Sequence, residues 1–197
     1  MPARDTLKIY GSSDFAVTEG DGDWTVHMVV GIDPDWHIYL LDLWRAQTTP
    51  DKWIEAFCDL VEQWKPIGWA QETGHPFLER RMRERRVYVA RAQFPTRGDK
   101  AIRAQSIRGR MLDGLYVPTK EPWYPALRSE LLSFPAGKHD DMVDALGLIG
   151  QILDRMNAGT KPKQPPPIRG LTELTLQELF DAQPSEPVIK EFNLEAS

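Results

Sequence analysis

The chain has very little cysteine: Cys58 is the single one among 197 residues. That excludes an internal disulfide and any cysteine-based zinc site, and it fits a reducing interior. Long apolar runs are also missing. No stretch approaches the roughly 20 residues of a membrane span, and the N-terminus lacks the basic-then-apolar plan of a signal peptide. The expectation is a protein free of membranes and located in a cytoplasm, with 41% hydrophobic residues sufficient for one core. A net positive charge is lacking too, the formal balance being −5. This argues against a generic nucleic-acid binder, but the average hides a segregation. Between Arg80 and Arg110 stand ten arginines and Lys100 against only Glu84 and Asp99, so the remainder is strongly acidic. Such a block is either a solvated helix face or a basic surface that meets phosphates.

What is present centres on the run from Lys138 to Leu146, where Asp140, Asp141 and Asp144 open an apolar helix. Val143, Leu146, Ile149, Ile152 and Leu153 recur at helical spacing, predicting a helix over 140–156. One acid suffices to cap its first turn, so Asp140 or Asp141 has that role open to it. Three acids at one turn exceed that need. Like charges one turn apart repel, and a hard divalent cation is one compensator, since Mg²⁺ or Mn²⁺ prefers carboxylate oxygen.

Upstream, the pattern predicts three consecutive strands, over 7–18, 24–33 and 37–44, in an antiparallel meander. Asp14 falls in the first, where an unpaired buried acid would be costly. An amphipathic helix follows from Thr49-Pro50 to Lys65-Pro66, with Trp53, Ile54, Phe57, Leu60, Val61 and Trp64 on one face. A short strand, 67–70, leads to Glu72 and a glycine turn, the place where open α/β sheets put their sites. Then come a helix over 75–86 with its arginines outward, a strand over 87–94, a helix over 99–112, an edge strand near 114–118 and a helix over 123–134. In this topology the first and fourth strands lie side by side and the last helix crosses their ends, so Asp14, Glu72 and Asp140/Asp141 converge. Residues 1–158 form the expected domain. Residues 159–197 read as a proline-rich linker and an acidic, flexible tail.

The run His139-Asp140-Asp141-Met142-Val143-Asp144-Ala145, with the Asp14 strand, Gly22-Asp23-Trp24-Thr25, Tyr39-Leu40-Leu41-Asp42, Trp64-Lys65-Pro66 and Glu72-Thr73-Gly74, resembles the nuclease domain of the large terminase subunit of tailed bacteriophages. The resemblance spans about Lys8 to Arg155. It implies a ribonuclease H-like α/β fold, a central mixed sheet flanked by helices, and cutting of concatemeric double-stranded DNA during genome packaging in the host cytoplasm, dependent on two Mg²⁺ or Mn²⁺ ions. By the same resemblance Asp14 bridges the metals, Glu72 is the second ligand, and Asp141 with Asp140 beside it is the third. Asp144 is a reserve ligand or a hydrogen-bonding residue, Asp23 a peripheral ligand or a turn residue, and His139 a phosphate contact or a helix-start residue. Arg80, Arg81, Arg83, Arg97, Lys100 and Arg103 are the candidate DNA contacts. No Gly-x-x-x-x-Gly-Lys-Ser/Thr loop occurs, so ATP hydrolysis is not expected of this chain. An ATPase motor, a small terminase subunit and a portal protein are the implied partners. The rival readings are a resolvase- or transposase-type nuclease sharing the acids, and a non-catalytic DNA-binding packaging module.

Overall fold

The structure is a computed structural model that describes residues 2–16, 24–72, 74–94, 107–109, 111–112, 114–137 and 139–152. The chain separates into Met1–Pro162 and Lys163–Ser197, and every described residue belongs to the first unit. The proline-rich segment and the tail from 159 onward lie outside the described residues.

Six strands form one sheet: β1 (Lys8–Asp14), β2 (Thr25–Ile32), β3 (Ile38–Ala46), β4 (Gly68–Gln71), β5 (Ala90–Gln93) and β6 (Leu115–Tyr116), in the order β5-β4-β1-β2-β3-β6. β1, β2 and β3 are antiparallel, whereas β4 joins β1, β5 joins β4 and β6 joins β3 in parallel. The expected pairing of the first and fourth strands is therefore present. Besides a short 3-10 helix at Arg4–Thr6, the α-helices bounded among the described residues are α1 (Pro50–Trp64), α2 (Pro76–Arg85), α3 (Tyr124–Ser133) and α4 (Asp141–Gln151). The helix expected over 99–112 lies mostly outside the described residues. No helix among the described residues is long and apolar enough to cross a membrane.

Each face of the sheet carries a core. Tyr10, Val26, Met28, Val30, Ile32 and Ala70 pack with Met142, Leu146 and Ile149 of α4 and Leu127 of α3. Ile9, Val29 and Trp69 pack on the other face with Trp53, Phe57 and Val61 of α1 and Leu78 and Met82 of α2. Covered on both sides, β2 is buried at all eight positions. Strand alternation explains the division, because successive side chains point to opposite faces. Gly11 makes the tightest fit, since a Cβ there would fall on the fully buried Trp69 ring.

α1 ends where its sequence predicts, on Lys65 in the left-handed conformation with its N–H bonded to the Val61 carbonyl at 2.9 Å. Just before that turn, Trp64 Nε1 donates to Asp42 Oδ2 at 2.8 Å, joining the helix end to β3. The arginines of α2 depart from the outward expectation. Arg80 and Arg83 are exposed, but Arg81 turns back onto Glu55, and Arg85 onto Glu55, Asp59 and Glu62 of α1. Acids one helical turn apart on α1 attract those two side chains, Arg85 being drawn in to 20% exposure while Arg81 stays 42% exposed.

Candidate functional site

The site is built from strand register. Asp14 is the last residue of β1, and the pairing of Ser13 with Gln71 sets Asp14 beside Glu72, the first residue after β4. Ser12 Oγ donates to the Ala145 carbonyl of α4 at 2.8 Å, so Ser12 faces that helix. Alternation returns Asp14 to the same face, and Glu72 follows the α4-facing Ala70 by the same step of two. Across the sheet, Asp14 pairs with Val26 and Val26 pairs with Arg45. Glu72, Asp14, Val26 and Arg45 thus make a row over four adjacent chain segments.

α4 packs against β1, β2 and β4. Asp141, its first residue, is 9% exposed and accepts from the Trp24 N–H through Oδ1 at 3.4 Å. Trp24 stands two residues before the Val26 that opposes Asp14. Asp14, Glu72 and Asp141 accordingly share one end of the sheet, although they are far apart in sequence. Among the described residues no group of three or more His, Cys, Asp or Glu side chains is gathered closely enough to hold a metal ion. The acids share an edge without forming a closed coordination shell.

The start of α4 corrects the capping expectation. Asp140 occupies the N-cap position, but its side chain makes no capping bond. Instead Glu130 of α3, only 6% exposed, accepts the Met142 N–H through Oε2 at 3.0 Å. Its other oxygen lies 3.1 Å from Arg45 Nη2, and the Arg45 guanidinium stacks 4.0 Å from the centroid of the Trp24 ring. Burial pushes the Glu130 carboxyl above the usual range, opposed by the Met142 N–H and Arg45 and assisted by the nearby charge of Asp141. Sequence reasoning passed over Glu130 and Arg45, and read Trp24 only as part of the Gly22-Asp23-Trp24-Thr25 motif. The available signal was an acid within the apolar stripe Leu127, Leu131, Phe134, where an inward charge requires a partner.

His139 stands beside Asp141, with 4.0 Å between Nδ1 and Oδ2. Asp140 and Asp144 are half-buried in the first turn, with the Asp144 N–H bonded to the Asp140 carbonyl at 2.8 Å. Of the candidate DNA contacts, Arg80 pairs with Glu84, and Arg81 with Glu55 and Glu84. Arg83 makes no ion pair among the described residues. Asp23, Arg97, Lys100 and Arg103 lie outside the described residues.

No family model and no curated protein matches the sequence. Solved structures do. The large terminase nuclease of the thermophilic phage G20c with bound magnesium superposes with a TM-score of 0.55 at 16% identity, covering 74% of this chain and 81% of that one. The same nuclease has also been crystallised with zinc and with cobalt. The large terminase nuclease domain of Thermus phage P74-26 gives 0.55 at 16% identity, over 79% and 84% of the two chains. The human cytomegalovirus terminase nuclease domain, manganese-soaked and inhibitor-bound, gives 0.54 at 12% identity, over 77% and 86%. A mixed six-stranded sheet with an antiparallel β1-β2-β3 meander, parallel outer strands and helices on both faces is the ribonuclease H-like fold of the terminase large-subunit nuclease domain, and this chain has it.

Proposed function

We propose that the chain is a metal-dependent endonuclease that cuts concatemeric double-stranded viral DNA during genome packaging. The observation that carries this reading is the shared edge described above, where the ends of β1 and β4 and the start of α4 bring Asp14, Glu72 and Asp141 to one end and one face of the sheet. The donor set fits a hard divalent cation, because carboxylate oxygens are the ligands Mg²⁺ and Mn²⁺ prefer. Asp14, Glu72 and Asp141, with Asp140 adjacent, are the residues that would hold two such ions. When bound, the ions supply an activated water and stabilise the leaving 3′ oxygen of the phosphodiester.

The protein's own contribution is to hold several acids at one edge of the sheet. Asp14 and Glu72 come from neighbouring strands and move as part of the sheet, while Asp141 is fixed to Trp24. Exposed Arg83, together with the basic segment beyond Gln93, would meet the phosphates and set register without reading bases. The ATPase motor, small subunit and portal are the proposed partners in packaging.

Asp14→Asn and Asp141→Asn test this reading. Each is expected to abolish Mn²⁺-dependent nicking of supercoiled plasmid while preserving the circular dichroism spectrum. Undiminished nicking by both folded variants overturns the assignment.

A further inference from the structure

Glu130 is the feature that the proposed chemistry leaves unexplained. A carboxylate this buried gains little stability from its ion pair, because desolvation offsets the attraction, and a well-packed apolar side chain often does as well. Its position points to another use. Arg45 belongs to the Glu72–Asp14–Val26–Arg45 row and lies two strands from Asp14, or about 10 Å at ordinary strand spacing. A guanidinium free to turn along that row would find carboxylates in reach and neutralise them, in direct competition with a cation. Two contacts restrain it: Glu130 Oε1 at 3.1 Å and the Trp24 ring at 4.0 Å. The second Glu130 oxygen holds the Met142 N–H, next to Asp141. Trp24, which carries the guanidinium on its ring, gives its own N–H to Asp141.

We infer that Glu130 is a positioning residue of the cation site, which sequesters Arg45 from the acids and fixes the first turn of α4. The inference rests on the metal-dependent reading above. Glu130→Gln preserves an acceptor for Met142 but releases Arg45, and Mn²⁺ affinity is expected to fall about tenfold, the lower end of what outer-shell residues contribute. Adding Arg45→Met to Glu130→Gln removes the competitor, so affinity returns to near the wild-type value. A role confined to stability gives the opposite pattern: melting temperatures shift and Mn²⁺ affinity stays constant.

Isothermal titration of Mn²⁺ into the full chain, with Tm measured in parallel, separates these cases. Wild-type affinity in folded Glu130→Gln, or a double variant no better than the single one, overturns the inference. The parent reading fails by a different result, in which wild type and Asp14→Asn bind Mn²⁺ equally weakly.

Discussion

Acid should loosen the sheet through His27. This ring is fully buried on β2 and ties four elements together. Trp69 Nε1 of β4 donates to Ser13 Oγ of β1, the Ser13 hydroxyl donates to His27 Nδ1, and His27 Nε2 donates to the Trp53 carbonyl of α1. Because a carbonyl only accepts, the proton resides on Nε2 and the ring is neutral. Protonating Nδ1 would turn it from acceptor to donor, force the Ser13 hydroxyl to reverse, and bury a charge among Phe57, Trp44 and Trp69. Burial accordingly lowers the His27 pKa from 6.5 to about 4. Between these values the unfolded chain binds the proton and the folded one does not, so stability is complete above pH 6.5 and lost as pH falls toward 4. The loss at pH 4 amounts to about 3 kcal/mol. Urea denaturation at pH 7, 5.5 and 4 measures it, with His27→Gln as comparator because other groups titrate in the same window. The variant is less stable at pH 7, yet its stability should decline with acid by about 3 kcal/mol less than the wild type does. Parallel decline in the two proteins refutes the reasoning.

Three further outcomes are expected. Gly11→Ala would drive a Cβ into the Trp69 ring, and the overpacking should cost about 1–3 kcal/mol; an unchanged Tm contradicts it. Burial pushes the Cys58 thiol up to about 11, so a thiol reagent at pH 8 should label the protein only in denaturant, and rapid labelling of the folded chain is the contrary result. Arg83→Ala should weaken binding to duplex DNA at low salt and reduce its salt dependence, whereas Arg85→Ala, which removes the partner of Glu55, Asp59 and Glu62, should lower Tm instead. Equal DNA-binding losses in the two variants would contradict that division.

Local chemistry made much of the fold legible. Thr49-Pro50 and Lys65-Pro66 bracket α1 as observed, and the alternation in β1 through β3 gave the meander because each strand has neighbours on both sides. The side-by-side pairing of the first and fourth strands also followed from element order alone. What escaped was everything that depends on side chains meeting across the tertiary structure. Arg45 and Glu130 are 85 positions apart, and although an acid in the apolar stripe of α3 calls for a partner, nothing local identifies Arg45 as that partner. The capping of α4 was credited to its own acids because Glu130 arrives from α3. Arg81 and Arg85 looked solvent-facing because the acids of α1 that attract them stand a strand and a turn earlier in the chain.

The bond between Trp64 and Asp42 makes the length of α1 a calibrated quantity. An inserted residue would rotate the indole by about 100° around the helix axis and detach it from β3. The left-handed turn at Lys65 would then launch β4 from a displaced origin, and Glu72 would slide relative to Asp14. Spacing between two acids on the sheet is thus metered by a helix packed with Ile9, Val29 and Trp69, so insertions should be excluded from α1 more strictly than its exposed face would suggest.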